Sequence, residues 1–231
     1  MYIKKRKTAL AFRLVSTCVA IAGILAIMFI GGKFSLTTLL FYTLMSNIAV
    51  LIYFVITACF TYRDLLKDGP MGEVSYFPKI SMFLAVDILL TLLVYWVLLA
   101  PQSFAMGSDY PIFSFANITV HTVTPLLMIV DYLIFNKRRV LKFYHSFYVL
   151  IFPLSYAAFA MLIGQLGYVF MMDSQGNPMH APYFFMEIDK IGWMVLVYIA
   201  VIAVALSCLG LLGYLIDRKG SNREYTLTKK S

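Results

Sequence analysis

Charge is scarce in this chain, and acidic charge scarcest. Only 13% of its 231 residues are charged, and 11 acidic side chains stand against 19 basic ones, a net charge of +8. With 61% of the residues hydrophobic, no soluble domain of this size could hide its apolar surface. Cysteine is nearly missing. Cys18, Cys59 and Cys208 fall inside apolar runs, with no CxxC pair and no Cys/His cluster. That excludes a disulfide framework and a zinc site, and the three read as small apolar side chains in a bundle. There is no internal repeat and no low-complexity stretch. The GxxxG spacing of many membrane dimers is also missing, so no dimer face stands out and the oligomeric state stays open. No small-residue cleavage site closes the first apolar run. The run is too long for a signal-peptide core and is expected to be a retained helix.

What is present is six apolar runs of bilayer-spanning length, near residues 9–31, 36–61, 79–100, 116–135, 144–170 and 191–216. Each can cross a hydrocarbon core of ~30 Å at ~1.5 Å per residue. They are continuously apolar and not alternating, which favours helices over a barrel. The expected fold is an all-α membrane protein: one domain over residues 1–231, built as a six-helix bundle.

The basic residues set the orientation. Lys4, Lys5, Arg6 and Lys7 precede the first run; Arg63, Lys67 and Lys79 flank the 2–3 loop. Lys137, Arg138, Arg139 and Lys142 fill the 4–5 loop. Arg218, Lys219, Arg223, Lys229 and Lys230 form the tail. The other side has only Lys33 and Lys190. Both termini are expected in the cytoplasm, with the protein in the plasma membrane. A nucleic-acid partner is not expected, because the basic residues are scattered over loops with no aromatic-interleaved module. Anionic lipid is partner enough.

Polar residues inside the runs carry the chemistry, since each is costly in hydrocarbon unless paired or used. In the fourth run, Asn117, His121, Thr124, Met128 and Asp131 form one helical stripe, and Pro125 is expected to kink the helix beside His121. In the second run, Thr43 and Asn47 share a face with Ser46 close by. Thr43 is placed ~12 Å along its helix from the outer start, a depth compatible with His121. A threonine hydroxyl becomes a nucleophile when a base takes its proton, and a neutral imidazole is such a base. Asn47 and Asn117 are the candidate oxyanion donors. No group that orients the imidazole is evident, because Asp131 lies more than two turns away. Thr hydroxyls bonded to their own helix, and a plain His–Asn pair, are the structural alternatives.

Nearer the cytoplasmic side, Arg13, Asp87 and Asp131 read as an ion-pair network, with Arg13 bonded to Asp131 or Asp87. The functional alternative is a proton or cation relay. Thr91 and Tyr95 continue the face of Asp87 outward. In the outer loops 101–115 and 171–190, aromatic residues such as Phe104, Tyr110, Phe113, Tyr183 and Phe185 suit a membrane interface. They could also roof a cavity.

Two stretches carry a resemblance. FYTLMSN (41–47) and ANITVHTVTPLLMIVDYLIF (116–135) look like the helix-2 and helix-4 motifs of a family of small bacterial six-helix membrane proteins. That family is similar in turn to the androgen-induced and androgen-dependent transmembrane hydrolases, which cleave fatty acid esters of hydroxy fatty acids with a threonine and a histidine. Asn117, His121 and Thr122 match their Asn-x-x-x-His-Thr pattern, and Thr43 matches their threonine. MHAPYFFMEIDKIGW (179–193) resembles their last outer loop, although Pro182-Tyr183-Phe184 departs from its Tyr-Pro-Phe order. The resemblance implies an intramembrane lipid-ester hydrolase with Thr43 as nucleophile and His121 as base. Ser46, Asn47, Tyr95, Asn117, Thr124 and Tyr183 are candidates to position an acyl-ester substrate that enters sideways from the outer leaflet. No metal or other cofactor is expected. The rivals are a transporter or lipid-binding protein driven by the Arg13/Asp87/Asp131 set, and a non-catalytic structural or regulatory subunit. The last expects Thr43 and His121 to lie far apart or to be fully packed.

Overall fold

The computed structural model describes residues 3–29, 32–105, 111–173 and 175–220. Tyr110 and the tail residues Arg223, Lys229 and Lys230 lie outside the described residues. Six helices among the described residues are long and apolar enough to cross a membrane: α1 (Arg6–Met28), α2 (Tyr42–Asp68), α3 (Pro78–Phe104), α4 (Phe115–Phe135), α5 (Phe143–Gln165) and α6 (Met194–Lys219). Helices close every backbone hydrogen bond within one segment, which hydrocarbon demands. The protein is thus an all-α, multi-pass membrane bundle. An even number of crossings puts the described N-terminal residues and the end of α6 at one end, called here the basic end.

The helices differ in how much they contribute to the interior. Half of the α4 span is buried, against 17% of the α6 span, although α6 has the highest mean hydropathy at 2.8. The central helix is therefore the less apolar one, and the most apolar helix faces outward, as expected where lipid is the solvent. α1 packs on α2 and α4, while α3 packs on α2, α4 and α6. Gly23 lets α1 approach Thr119 and Val120 of α4 closely. The three cysteines are free and exposed on the bundle surface, so they do not pack inside it as expected.

Several boundaries move, each for a local reason. α2 begins at Tyr42, six residues later than its apolar run, because Leu36–Leu40 form a separate 3-10 turn and Phe41 is extended (ψ 139°). It also runs seven residues further, to Asp68, and stops at Gly69 (φ 81°). α3 continues to Phe104, passing Pro101 by way of a π turn at Tyr95–Leu99. α5 stops at Gln165, five residues early. There the backbone turns through Gly167 (φ 90°) into a hairpin of β1 (Met171–Met172) and β2 (Pro178–Met179). α6 is shifted three residues toward the tail.

A buried ion pair ties the basic half together. Arg13 Nε donates to Asp131 Oδ1 at 3.0 Å, with both side chains fully buried. The other guanidinium nitrogens donate to Thr61 Oγ1 (2.7 Å) and to the Val74 carbonyl (3.0 Å). Asp131 Oδ2 accepts from the Tyr53 hydroxyl at 2.9 Å and from Asn136 Nδ2 at 3.3 Å. Asn136 also donates to Ser81 Oγ at 2.9 Å. One network thus joins α1, α2, α3, α4 and the 2–3 loop. Asp87 takes no part in it.

Removing one charge of such a pair leaves the other buried and uncompensated, at a cost of about 3–5 kcal/mol. Asp131→Asn is therefore expected to lower the thermal unfolding midpoint in detergent clearly. An unchanged midpoint would show that the network does not hold the bundle.

Candidate active site

The site forms where two locally widened helices meet. Pro125 in α4 has no N–H, and its ring crowds the carbonyl four residues earlier, that of His121. The chain responds with a π turn at Thr119–Val123 and resumes as α-helix at Thr124. The kink expected at Pro125 takes this form. α3 does the same before Pro101, with its π turn at Tyr95–Leu99. π turns are rare and concentrate at functional sites. The two turns abut. The rings of Tyr95 and His121 stack at 3.8 Å with 16° between planes. Trp96 Nε1 donates to Thr122 Oγ1 at 2.9 Å.

His121 is buried at 5% exposure and held on three sides. Tyr95 covers one face, and the Tyr95 hydroxyl is anchored by donating to the Ile112 carbonyl at 2.7 Å. Its Nδ1 lies 3.0 Å from the backbone carbonyl of Asn117, which can only accept. In a neutral ring Nδ1 therefore carries the proton and Nε2 the lone pair. Nε2 lies 3.3 Å from Thr43 Oγ1. The orienting group missing from the sequence reading is thus a main-chain oxygen one turn up the same helix.

Thr43 sits differently from its expected place. It is the second residue of α2, not two turns inside a helix. Its backbone N–H belongs to the first turn, where donors have no intrahelical partner. The N-cap residue Phe41 supplies no side-chain acceptor. Two phenols face this helix end. The Tyr183 hydroxyl lies beside the Thr43 side chain and the backbone N–H groups of Tyr42 and Thr43, and the Tyr156 hydroxyl lies beside that of Tyr42. Tyr156 also donates to the Leu40 carbonyl at 3.0 Å. Burial pushes the Tyr183 phenol above its ordinary value, so it stays a hydrogen-bond donor.

The side-chain amides do other work. Asn47 Nδ2 donates to the carbonyls of Thr43 (2.7 Å) and Val120 (3.0 Å), and Asn117 Nδ2 donates to the Pro111 carbonyl (2.9 Å). Two carbonyls thus take up Asn47 Nδ2, which is not left as the free oxyanion donor expected from sequence. Asn47 instead fixes the first turn of α2 against α4. Ser46 helps, bonding the Thr43 carbonyl and Thr91 Oγ1, each at 3.0 Å. Thr124 is buried three residues past His121, and its hydroxyl has no partner among the described residues. Tyr95 orients the imidazole and does not line the cavity.

That cavity lies on the other side of Thr43. A narrow cavity of about 70 Å³, open on one side, lies between α2, α3, α5 and α6. Thr43, Thr91, Tyr156 and Tyr183 supply hydroxyls at one end, and the remaining wall is almost wholly apolar. Phe185 and Met186 of the last loop form part of its lining. Phe104 and Phe113 of the earlier loop are exposed and form no roof. His121 does not touch the cavity; Thr43 stands between. Sequence reasoning missed Tyr156 and the paired π turns. Pro125 inside the fourth run and Pro101 directly after the third were the available signals for the turns.

No family model, curated protein or solved structure matches the chain. The described residues hold no group of three or more His, Cys, Asp or Glu side chains that could bind a metal.

The last loop is braced at its exposed end. Lys190 Nζ donates to Asp173 Oδ2, and the backbone N–H groups of Gln175 and Asn177 donate to Asp173 Oδ1 at 2.9 and 2.8 Å. The Lys190 ammonium, with these amides, holds the Asp173 carboxyl well below its ordinary value. A depressed carboxyl favours the folded hairpin above the ordinary carboxylate range, near 3.9, and loses that contribution as pH falls toward the folded value. Amide exchange at residues 175–177, corrected for its intrinsic pH dependence, is expected to accelerate below about pH 4. Asp173→Asn should abolish this acceleration.

Proposed function

We propose that the protein is an intramembrane lipid-ester hydrolase with Thr43 as nucleophile and His121 as general base. The observation that carries the reading is the 3.3 Å approach of Thr43 Oγ1 to His121 Nε2, at the hydroxyl-bearing end of an apolar cavity. The distance is long for a formed hydrogen bond, as is common before substrate binds. The order is that of a nucleophilic triad: hydroxyl, imidazole, and an acceptor behind the imidazole.

The chemistry runs in two halves. Thr43 Oγ attacks the ester carbonyl while its proton passes to Nε2. The carbonyl oxygen becomes an oxyanion, facing the Tyr183 hydroxyl and the backbone N–H groups that begin α2. The intermediate collapses; the alcohol leaves with the proton from Nε2, and the acyl group stays on Thr43. Water then gives a proton to Nε2 and attacks the acyl-threonine; the bond to Thr43 Oγ breaks as Nε2 returns the proton to that oxygen, and the fatty acid leaves. The Asn117 carbonyl holds the ring through both halves.

The resemblance to the androgen-induced threonine hydrolases supports the same residues and acyl esters of hydroxy fatty acids as substrates. The excess of basic loop residues at one end supports cytoplasmic termini and a plasma-membrane location, which puts the catalytic pair in the outer half. A purely structural subunit would have Thr43 and His121 far apart or fully packed; His121 is buried, while the partly exposed Thr43 lines the cavity, which supports the hydrolase reading. One observation favours a transport reading instead: the buried Asp87 has no partner for Oδ1 among the described residues. If that reading holds, the protein shows proton-coupled uptake into vesicles that Asp87→Asn abolishes.

A fluorophosphonate probe is expected to label the purified protein. Thr43→Ala should remove labelling, and His121→Ala should slow it by about 10²-fold or more, the usual contribution of a general base. Full labelling of Thr43→Ala, or none of the wild type, would defeat the hydrolase reading. Tyr183→Phe should lower the rate of ester turnover by about 10²-fold, the loss of one oxyanion donor, with little change in probe binding.

A further inference from the structure

We propose that the cleft between α5 and α6 is a lateral portal through which a lipid acyl chain passes from the bilayer to Thr43. The two helices are held together only toward the basic end. There Gly210 of α6 lies directly against the Ser146 carbonyl and Val149 of α5, with no room for a Cβ. Beyond that point the stretch Ile151–Gln165 makes almost no backbone approach to α6. Its far end is fastened elsewhere. Gly164 packs against the His180 carbonyl of the last loop, again too closely for any side chain. Tyr156 is bonded to Leu40 before α2. α5 is thus pinned to α6 at one end and to the loops at the other, and the cleft opens between the pins.

The cleft leads inward. A groove on the lipid-facing surface, lined among others by Ala158, Met161 and Leu196, shares Leu154, Ala157 and Ile199 with the cavity that ends at Thr43. No charged residue lines either part, and Gln165 is the single strongly polar residue of the groove. A charged headgroup drawn through this path would lose its hydration without compensation. An acyl chain loses nothing, because the groove is as apolar as the hydrocarbon it leaves. The hydroxyls at the inner end then meet the ester, the first polar group of the lipid. The occupant that fits is an uncharged ester on an aliphatic chain, with the ester at the inner end and the chain lying back along the cleft toward the bilayer.

The portal rests on the hydrolase reading only for the chemistry at its inner end, so its test uses a lipid that cannot be hydrolysed. The wild-type protein is reconstituted in phosphatidylcholine vesicles containing an alkyl-ether lipid with a diazirine on its chain. After irradiation, adducts are mapped by mass spectrometry. Adducts are expected to concentrate in residues 154–162 and 196–203. Ala157→Trp should reduce them at least fivefold; Ile199→Trp, which blocks from the α6 side, provides the same reading if the first variant fails to fold. Adducts spread evenly over all lipid-facing helices, or unchanged by both substitutions, would overturn the portal. Ester turnover measured alongside reports separately on the hydrolase.

Discussion

The Arg13–Asp131 pair is the constraint on which the helix arrangement depends. Neither group can remain unpaired in hydrocarbon, so α1 and α4 must meet at one depth and one rotation. The remaining donors of Arg13 reach α2 and the loop before α3. The second oxygen of Asp131 takes the Tyr53 hydroxyl. Once this network is satisfied, the rotations of α1, α2 and α4 are set together. The face of α4 that carries Asp131 at the basic end then carries His121 toward the other end, against the start of α2. A buried pair of this kind is weak evidence for stability in itself, but strong evidence for register.

The approach of Thr43 to His121 depends on two departures from ideal helix. Pro125 widens α4 at the turn that contains His121, and Pro101 follows the widened turn that begins at Tyr95. The widened turns meet through the Tyr95–His121 stack and the Trp96–Thr122 hydrogen bond. The late start of α2 is the second device. It brings Thr43 to the helix end, beside the Tyr183 hydroxyl and the first N–H groups of the helix. A hydroxyl two turns inside a helix would have no such donors beside it, since the backbone N–H groups there are already bonded.

The bundle also divides its labour. α1 to α4 form the polar, tightly registered half, with the ion-pair network and the His121 cage. α5 and α6 contribute apolar walls and meet α3 mainly near the basic end. This matches their burial: 28% and 17% of their spans, against 50% for α4. Two glycines decide where α5 touches its neighbours, and the space between those contacts is the cavity mouth.

The sequence by itself determined the class and the list of residues that needed explaining. Hydropathy is local and additive, so six continuous apolar runs specify six crossings. The burial cost of His121, Asp131 and Arg13 is visible without coordinates, as was the helical spacing that set Asn117 and His121 on one stripe. The tertiary structure alone decided which partners those residues take. Asp131 and Asp87 are equally acidic in sequence, and only the packed structure shows that Arg13 pairs with Asp131. Asn47 looked like a free amide donor until two backbone carbonyls claimed it. The α5–α6 cleft left no trace in the sequence, because an apolar side chain reads the same whether it faces a neighbouring helix, a cavity or lipid.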